Sequence, residues 1–221
     1  MSLYLSFKEI WRNKGRFFLF SLVIALITFL VLFIAALGEG LASANKEYLD
    51  NLDAELLVFQ ENVDYSTLES RLEYNLVKNI RRLPGISDVG AIGFSNTTIN
   101  LQTKENLDVS LVGVEAGKPG SPLVIEGESI RTKRAKVVVI DQLVAQETEL
   151  KVGDQLTILS TQGTEEKEFD LTVVGISASQ KYFFQNSIFV PLQVWEDIRP
   201  QAVLDNGYSE IIPNIMAVKL E

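Results

Sequence analysis

The chain opens with a long apolar stretch, after which apolar and polar residues alternate in short periods. No charged residue occurs from Phe17 to Gly38. A helix rises about 1.5 Å per residue, so this stretch covers the roughly 30 Å hydrocarbon core of a bilayer. A helix also pairs its own backbone polar groups, which lipid cannot do. The pattern predicts a transmembrane helix over residues 16–40, and the helix formers that follow predict an outer extension over residues 41–53.

The segment from Tyr65 to Gly85 has a helical period. Ser66 and Glu69 have the spacing of a capping box, and Pro84-Gly85 ends the pattern. Its apolar residues recur every three or four positions: Leu68, Leu72, Leu76, Ile80 and Leu83. We therefore expect an amphipathic helix with one face on a sheet. The preceding "AELLVF" predicts a buried strand.

From Ser87 the pattern changes to a period of two, which is typical of strands. The segments "ISDVGAIGFSNTTINLQT" and "LDVSLVGVE" flank the polar "KEN", so they predict a β-hairpin. The segment "EAGKPGSP" at residues 115–122 contains two glycines and two prolines, which favour a chain break. A boundary between subdomains is expected there.

Two later segments each predict a strand followed directly by a short helix. A strand over Lys136 to Ile140 runs into Asp141, a favoured N-cap residue, and a helix is expected over Leu143 to Thr148. The "VGD" turn and a return strand in "FDLTVVGI" follow. The segment "NSIFVPLQVWEDI" repeats the arrangement, with Pro191 in the first helical turn, and "IIPNIMAVKL" predicts a last strand. The order predicts an α+β fold with strands paired mostly within two halves.

The charges near the apolar stretch predict its orientation. Four bases (Lys8, Arg12, Lys14 and Arg16) and one acid precede it, whereas Glu39 is the first charge after it. The positive-inside rule places the N-terminus in the cytoplasm and residues after about 40 outside the cell membrane. A cleaved signal peptide is the alternative, and Ala-Ser-Ala at residues 42–44 would suit it. The apolar stretch is, however, longer than the roughly 7–15 residues of a signal peptide.

The first 15 residues have their own pattern. Apolar groups and one base recur at spacings of three and four: Leu3, Phe7, Ile10, Trp11 and Lys14. This pattern predicts an amphipathic cytoplasmic arm that lies against membrane lipid, with Trp11 at the interface. The alternative is a flank that only sets the topology.

Composition excludes several kinds of chemistry. The chain has no cysteine and no histidine, which removes cysteine nucleophiles, Ser-His-Asp triads, zinc sites made of these residues and disulfides. A formal net charge of −9 argues against nucleic acid as a partner. No GxxxxGK[ST] motif occurs, so ATP hydrolysis would belong to another chain.

A few residues are candidates for chemistry or contact. The carboxylate pairs Glu126 with Glu128 and Glu165 with Glu166 could act as acid and base, but solvated polar turns are the ordinary setting for such pairs. Glu39 and Tyr48 could approach a substrate at the outer membrane face, although an interfacial acid and tyrosine are common there. The aromatic segment Tyr182 to Asn186 could contact a substrate or a partner, or begin a core-facing strand. The sequence therefore predicts no catalytic residue, no cofactor and no metal ligand.

Several segments, taken in order, resemble the permease subunits of MacB/FtsX-like ABC transporters. They are "FKEIWRNKGRFFLF", "LDNLDAELLVF", "IRRLPGISDVG", "EGESIRTKRAKVVVIDQLVAQETELKVGDQLTI", "FDLTVVGI" and "IFVPLQVW". The resemblance spans the whole chain. It implies a periplasmic core domain with a porter-like lobe at residues 54–115 and 185–221, and a small inserted β-rich lobe at residues 116–184.

The resemblance also implies partners and a function. Such permeases have four membrane spans, work with a separate cytoplasmic ATPase and pair as homodimers. The sequence ends at Glu221, where three further spans are expected, so either the protein is short or this sequence is part of a longer chain; a lone span without partners favours the second. An amphipathic substrate is expected, for export or extraction. The alternative function is a membrane-anchored extracytoplasmic sensor or adaptor without transport activity.

Overall fold

The computed structural model describes residues 11–50, 52–101, 106–179, 181–182, 185–200 and 211–221. Its helices are α1 (Lys14–Asp50), α2 (Leu76–Ile80), α3 (Gln142–Thr148) and α4 (Leu192–Ile198). Its strands are β1 (Leu56–Val58), β2 (Ile86–Ile99), β3 (Leu107–Val114), β4 (Val124–Gly127), β5 (Val137–Asp141), β6 (Gln155–Gln162), β7 (Glu165–Ser177), β8 (Lys181–Tyr182), β9 (Gln185–Pro191) and β10 (Ile215–Leu220). The chain divides into two compact units, Met1–Ser43 and Ala44–Glu221, and we call the second the sheet domain.

Helix α1 contains the predicted span. Its segment Lys14–Gly40 is long and apolar enough to cross a membrane, and the most apolar window there has none of its residues buried. The helix continues without a break to Asp50. The predicted span and the predicted outer extension as far as residue 50 therefore share one helix, whereas residues 52 and 53 are not helical. The amphipathic arm stays a prediction, because residues 1–10 lie outside the described residues.

Six strands of the sheet domain pair in a closed ring. The order is β2, β3, β9, β5, β7 and β6, and β6 returns to β2 through the pairs Thr98↔Leu159 and Ile99↔Ile158. All six strands contribute fully or nearly buried side chains to one apolar cluster, among them Ile99, Leu111, Val138, Ile158, Val173 and Ile188. A second apolar cluster lies on the other face of the strands and includes Ile92, Val112, Val139 and Phe189. Burial on both faces accounts for the apolar runs in β3, β5 and β9, whereas β6 and the first half of β7 are largely polar.

The predicted β-hairpin is present as β2 and β3, with eight paired positions from Ile92↔Val114 to Ile99↔Leu107. Lys104 and Glu105 of the predicted turn lie outside the described part of the chain. The ring takes β2, β3 and β9 from the segments predicted as the porter-like lobe, and β5, β6 and β7 from the predicted insert. The division into two lobes at those boundaries stays a prediction.

The "AELLVF" segment is a strand, but it is not buried as predicted. Strand β1 pairs only with β10 and ends one side of the sheet path. The side chain of Leu56 is 51% exposed. An edge strand and a central strand have the same local sequence pattern, so burial here depends on which strand lies beside it.

The long helix predicted over residues 66–83 is wrong in extent. Only α2, five residues long, is helical. The backbone before it bonds elsewhere: the Leu72 N–H donates to the Pro213 carbonyl at 2.9 Å, and the Asn214 side chain donates to the Ser70 carbonyl at 3.1 Å. The Ser70 hydroxyl in turn accepts the Gln60 N–H at 2.9 Å. These long-range bonds replace the i→i−4 ladder, and a strong helical period is overridden by tertiary contacts.

The two strand-then-helix predictions are confirmed. Asp141 caps α3, because its carboxylate accepts the Leu143 N–H at 2.6 Å. Pro191 is the N-cap residue of α4 and not a member of its first turn. The C-terminal carbonyl groups of α4 bind side chains of β6: the Ile198 carbonyl accepts from the Ser160 hydroxyl and, at 3.0 Å, from the Gln162 amide.

Candidate functional site

The chain enters and leaves the sheet domain through two adjacent antiparallel strands. Strand β1 begins six residues after the end of α1, and β10 ends one residue before the last residue, Glu221. Leu56 pairs with Val218, and the Glu55 N–H donates to the Val218 carbonyl at 3.0 Å. The two strands are therefore hydrogen-bonded neighbours at one end of the sheet path. We call the surface around this strand pair, formed by Asp53, Glu55, Asp88, Lys118 and Lys219, the junction.

Ionic contacts clamp the two strand ends at the junction. The Lys219 ammonium group lies 2.6 Å from both carboxylate oxygens of Asp53. The Leu220 N–H donates to the Glu55 carboxylate at 2.9 Å. The hydrogen bond to Asp53 raises the pKa of Lys219, slight burial opposes this, and the charges of Asp53 and Glu55 add to the rise. Lys219 therefore stays positively charged, and the clamp persists at physiological pH.

A second ion cluster lies beside the first, at the start of β2. Asp88 accepts from Lys118 at 3.0 Å, and Arg81 lies 3.3 Å from its other oxygen. Burial raises the pKa of Asp88, but the Lys118 hydrogen bond, the Val89 N–H and the two positive charges outweigh it, so the pKa lies below its ordinary 3.8. The cluster ties the end of α2 and the loop after β3 to strand β2.

The loop after β3 packs directly on Gly90 of β2, where only a residue without a side chain fits. A Cβ on Gly90 of β2 would lie 2.1 Å from the Pro119 carbonyl oxygen, which no real Cβ tolerates. This close approach brings Lys118 over Asp88. Between this loop and the Asp53–Lys219 pair lies an open polar groove of about 490 Å³. Its charged side chains are two acids and two bases, so the groove has no strong preference for a charged ligand.

A partly buried acid, Glu115, binds the same loop from the other side. Glu115 accepts the Tyr74 hydroxyl and, at 3.1 Å, the Ala91 N–H. Burial, the hydrogen bond to Glu115 and the negative charge of Glu115 raise the pKa of Tyr74 to about 12, against a weaker opposing effect of Arg81. The tyrosine hydroxyl is therefore protonated at physiological pH and remains a donor. The contacts at and beside the junction therefore connect chain segments that lie far apart in sequence.

Replacing Asp88 by asparagine tests whether the second ion cluster stabilises the domain. At pH 7 the variant is expected to be less stable by the order of 1 kcal/mol, as for partly exposed ion pairs. Because the folded pKa of Asp88 is depressed, its stabilisation is present above the unfolded pKa and is lost as the pH falls through the folded one. The difference between Asp88→Asn and the parent should therefore close below pH 3.8.

The measurement is the urea midpoint of the Trp195 fluorescence in a Trp11→Phe background, from pH 7 to pH 2.5. Glu165→Gln, which alters an exposed carboxylate at the start of β7, serves as the control and should not shift the midpoint at pH 7. The assignment is contradicted if Asp88→Asn and the parent have the same urea midpoint at pH 7, or if the difference between their midpoints increases as the pH falls.

The carboxylates singled out from sequence lie on exposed strand ends. Glu126 belongs to β4, and Glu128 lies 3.7 Å from Arg131 in an exposed ion pair. Glu165 and Glu166 begin β7, opposite Gln162 and Thr161. Among the described residues, no group of three or more Asp or Glu side chains is arranged to hold a metal ion. Glu166 lines an open groove of about 270 Å³ together with Asp108, Thr161 and Gln185.

The other candidate residues are placed only in part. Glu39 is exposed on the apolar segment of α1, and Tyr48 belongs to the same helix. Tyr182 pairs with Gln185 as β8 meets β9, so this segment is a short hairpin. Phe183 and Phe184 lie outside the described residues. The junction itself was not predicted, because Asp53 and Lys219 are 166 positions apart and no local pattern links them.

Comparison with known proteins agrees with this fold. Residues 17–220 match the family model of the MacB-like periplasmic core domain. The "Putative hemin transport system permease protein HrtB" of Staphylococcus haemolyticus (strain JCSC1435) is 24% identical over 197 residues, which is 89% of this chain and 52% of that protein. The chain thus spans about half the length of the curated relative that it matches.

Two solved structures share the fold at low sequence identity. The periplasmic region of MacB from Actinobacillus actinomycetemcomitans aligns with a TM-score of 0.51 and 14% identity over 75% of this chain and 73% of that one. The extracellular domain of the noncanonic ABC-type transporter YknZ from Gram-positive bacteria aligns with a TM-score of 0.51 and 13% identity, over 75% of this chain and 82% of that one. These two domains share the mixed α+β architecture of the sheet domain. This chain therefore belongs to the MacB-like periplasmic core domain family.

Proposed function

We propose that this chain is a permease subunit of an ABC transporter, in which a separate cytoplasmic ATPase drives movement of the sheet domain outside the membrane. The observation that carries the proposal is the unbroken helix Lys14–Asp50, which contains the apolar span and ends six residues before β1 begins. A continuous helix transmits displacement along its axis, whereas a flexible linker would absorb it. The junction then passes that displacement to β10 as well as β1.

The proposal includes an orientation and partners. The basic residues before the span support a cytoplasmic N-terminus, with residues after about 40 outside the cell. Two permease copies pair and contact membrane lipid through the apolar face of α1. The chain has no phosphate-binding GxxxxGK[ST] loop, which supports placing ATP hydrolysis in a partner subunit.

The substrate we propose is amphipathic and membrane-resident. The Staphylococcus relative is named as a putative hemin transport permease, and hemin is a molecule of that kind. With no histidine in this chain, an iron ligand would have to come from tyrosine, methionine or carboxylate groups. Transport thus depends on the membrane-adjacent region and on motion of the domain, and no residue of the sheet domain is assigned to catalysis.

A helix-breaking change in the outer part of α1 tests the coupling. The double substitution Asn45→Gly/Lys46→Pro should leave ATP hydrolysis by the partner at the parent rate and lower transport at least tenfold, since proline removes a backbone bond and kinks the helix. Asn45→Ala/Lys46→Ala changes the same two residues and keeps the helix, so it is the matched control. Both rates are measured with the full permease and its ATPase in proteoliposomes.

Two results would contradict the proposal. Equal transport by the Gly-Pro and Ala-Ala variants would show that the helix does not carry the motion. Purification of the full-length protein without any bound ATPase, together with absence of transport, would instead favour the anchored sensor or adaptor.

A further inference from the structure

Lys219 lies between two carboxylates at the junction. In the antiparallel ladder of β10 and β2 it is the direct partner of Asp88, and its ammonium group lies 2.6 Å from both carboxylate oxygens of Asp53. Direct partners on neighbouring strands have Cβ atoms about 4.5–5.5 Å apart, which a lysine side chain spans. One base is therefore bonded to an acid on the segment that enters the domain, and a second acid lies within its reach.

The second acid, Asp88, has capacity for another donor. Among the described residues, no ion pair joins it to Lys219; its cationic partners are Lys118 at 3.0 Å and Arg81 at 3.3 Å. Its Oδ1 atom also accepts the Val89 N–H, whereas its Oδ2 atom accepts from Lys118 alone within the described part of the chain. Each carboxylate oxygen accepts about two donors. The Oδ2 atom can therefore accept a second ammonium group without losing the first.

The open groove at the junction gives the Lys219 side chain room to move. Asp53, Asp88, Lys118 and Lys219 all line this groove of about 490 Å³. The side chain of Lys219 is 38% exposed and that of Asp53 is 74% exposed, so packing holds neither in place. The flexible stem of lysine lets its ammonium group pair in many geometries. A path from Asp53 to Asp88 therefore crosses the groove and not the apolar core.

Of the two acids, Asp53 is on the segment that is free to move. It lies between α1 and β1, outside any helix or strand, and β1 has three residues that pair only with β10. Asp88 belongs to the 14-residue strand β2, which pairs with β10 and β3. Short edge elements open at lower free energy than strands inside a sheet. The Asp53 carboxylate can therefore leave Lys219 while Asp88 keeps its position beside it.

The geometry points to an ion-pair exchange: we infer that Lys219 passes from Asp53 to Asp88 when the segment between α1 and β1 moves away from β10, and returns with it. The inference rests on the proposed function, which supplies the movement, and names Lys219 as a positioning residue in the coupling. An ion pair that must simply break resists such a movement, whereas an exchange replaces one pair with another. Both positions of the entering segment are then paired.

Asp53→Asn tests the exchange, because it removes the charge that holds Lys219 on the entering segment. Lys219 should then bind Asp88 and lower the pKa of that carboxyl group by about one pH unit, as a nearby positive charge does. The measurement is a carbon-13 NMR titration of the aspartate carboxyl groups of the full chain in lipid nanodiscs. The Asp88 signal is assigned by its loss in Asp88→Asn.

A control is needed because Asp53→Asn also removes a negative charge, which by itself lowers the pKa of Asp88. The same change is therefore made in a Lys219→Gln background, where no ammonium group can move. The fall in pKa should be about twofold larger or more when Lys219 is present. Asp53→Asn/Lys219→Arg keeps the positive charge and should show the full fall. An equal fall with and without Lys219, or no fall in Asp53→Asn, overturns the exchange.

Transport by the parent permease and its ATPase in proteoliposomes is measured separately, so the two proposals can fail independently. The NMR titration does not depend on transport. If the exchange occurs but transport is absent, only the proposed function fails. If transport is present but the pKa of Asp88 does not respond to Lys219, only the exchange fails.

Discussion

Trp195→Ala is expected to destabilise the sheet domain by about 3–5 kcal/mol, the usual cost of removing a fully buried large aromatic side chain. Trp195 is 1% exposed and lies on Gly93 and Gly113, which are direct partners in β2 and β3. A Cβ on either glycine would lie 2.5 Å from Trp195 atoms. The two glycines thus create the space that the indole fills, and no neighbouring side chain is placed to refill it.

The polar edge of the same indole adds to the loss. Its Nε1–H donates to the Ser95 hydroxyl at 3.0 Å, and the Arg199 guanidinium lies 5.0 Å from the ring centre. The measurement is the free energy of unfolding in urea, followed by circular dichroism. Trp11→Ala is the matched control, because Trp11 is 76% exposed and should leave the transition of the sheet domain unchanged. A loss below 1 kcal/mol for Trp195→Ala would mean that the site collapses around the cavity and would refute the packing argument.

Asn214→Ala is expected to cost about 2–4 kcal/mol, because its side chain connects two segments inside the domain. Asn214 is 1% exposed, its amide oxygen accepts the Phe94 N–H at 2.7 Å, and its NH₂ group donates to the Ser70 carbonyl at 3.1 Å. Alanine removes both bonds from a site that water does not reach. The segment at Ser70 then loses one of the contacts that hold it out of a helix.

The control for this prediction is Asn100→Ala, whose side chain makes one exposed bond, to Glu168 at 3.2 Å. That variant should change the free energy of unfolding by no more than about 0.5 kcal/mol, as for most surface substitutions. Hydrogen exchange of the Leu72 amide, which donates to Pro213, provides a second measurement. Faster exchange of this amide is expected in Asn214→Ala; exchange and stability both unchanged would show that the bridge is dispensable.

The proposed function rests on contacts that connect elements of the sheet domain. The Asp53–Lys219 pair joins the first and last strands, and the Ser160 and Gln162 side chains hold the end of α4 to the hairpin of β6 and β7. Contacts of this kind fix the positions of the connected elements relative to one another. Displacement of one strand is therefore expected to displace its neighbours as well. They suit a subunit whose proposed work is to transmit movement.

Local signals in the sequence predicted several elements correctly. The uncharged stretch after Arg16 is sufficient for the apolar helix, since its length and hydropathy are properties of the segment alone. Asp141 predicted a helix start because a carboxylate N-cap acts within two residues. The period of two predicted the β2–β3 hairpin, whose strands are neighbours in sequence. The resemblance in motif order predicted the family.

The same local signals misled where distant contacts decide the structure. The period of the segment from Ser66 to Leu83 is helical, but Ser70 and Leu72 bond to Asn214 and Pro213, more than 140 positions later. No candidate at the junction was predicted for the same reason. Glu126 and Glu165 were considered as acid–base candidates from the sequence, but in the structure both side chains are exposed at strand ends.

The sequence alone determined what depends on neighbours within a few residues: the membrane-length helix, the capped helix α3, the hairpin, and the absence of cysteine and histidine chemistry. Only the tertiary structure decided the order of strands in the ring, the edge position of β1, the length of α2 and the pairing of Asp53 with Lys219. The physical reason is the distance along the chain over which each kind of interaction acts. Periodicity, capping and hydropathy act over a few residues, whereas strand order and side-chain bridges are selected by packing between segments whose separation along the chain carries no local signal.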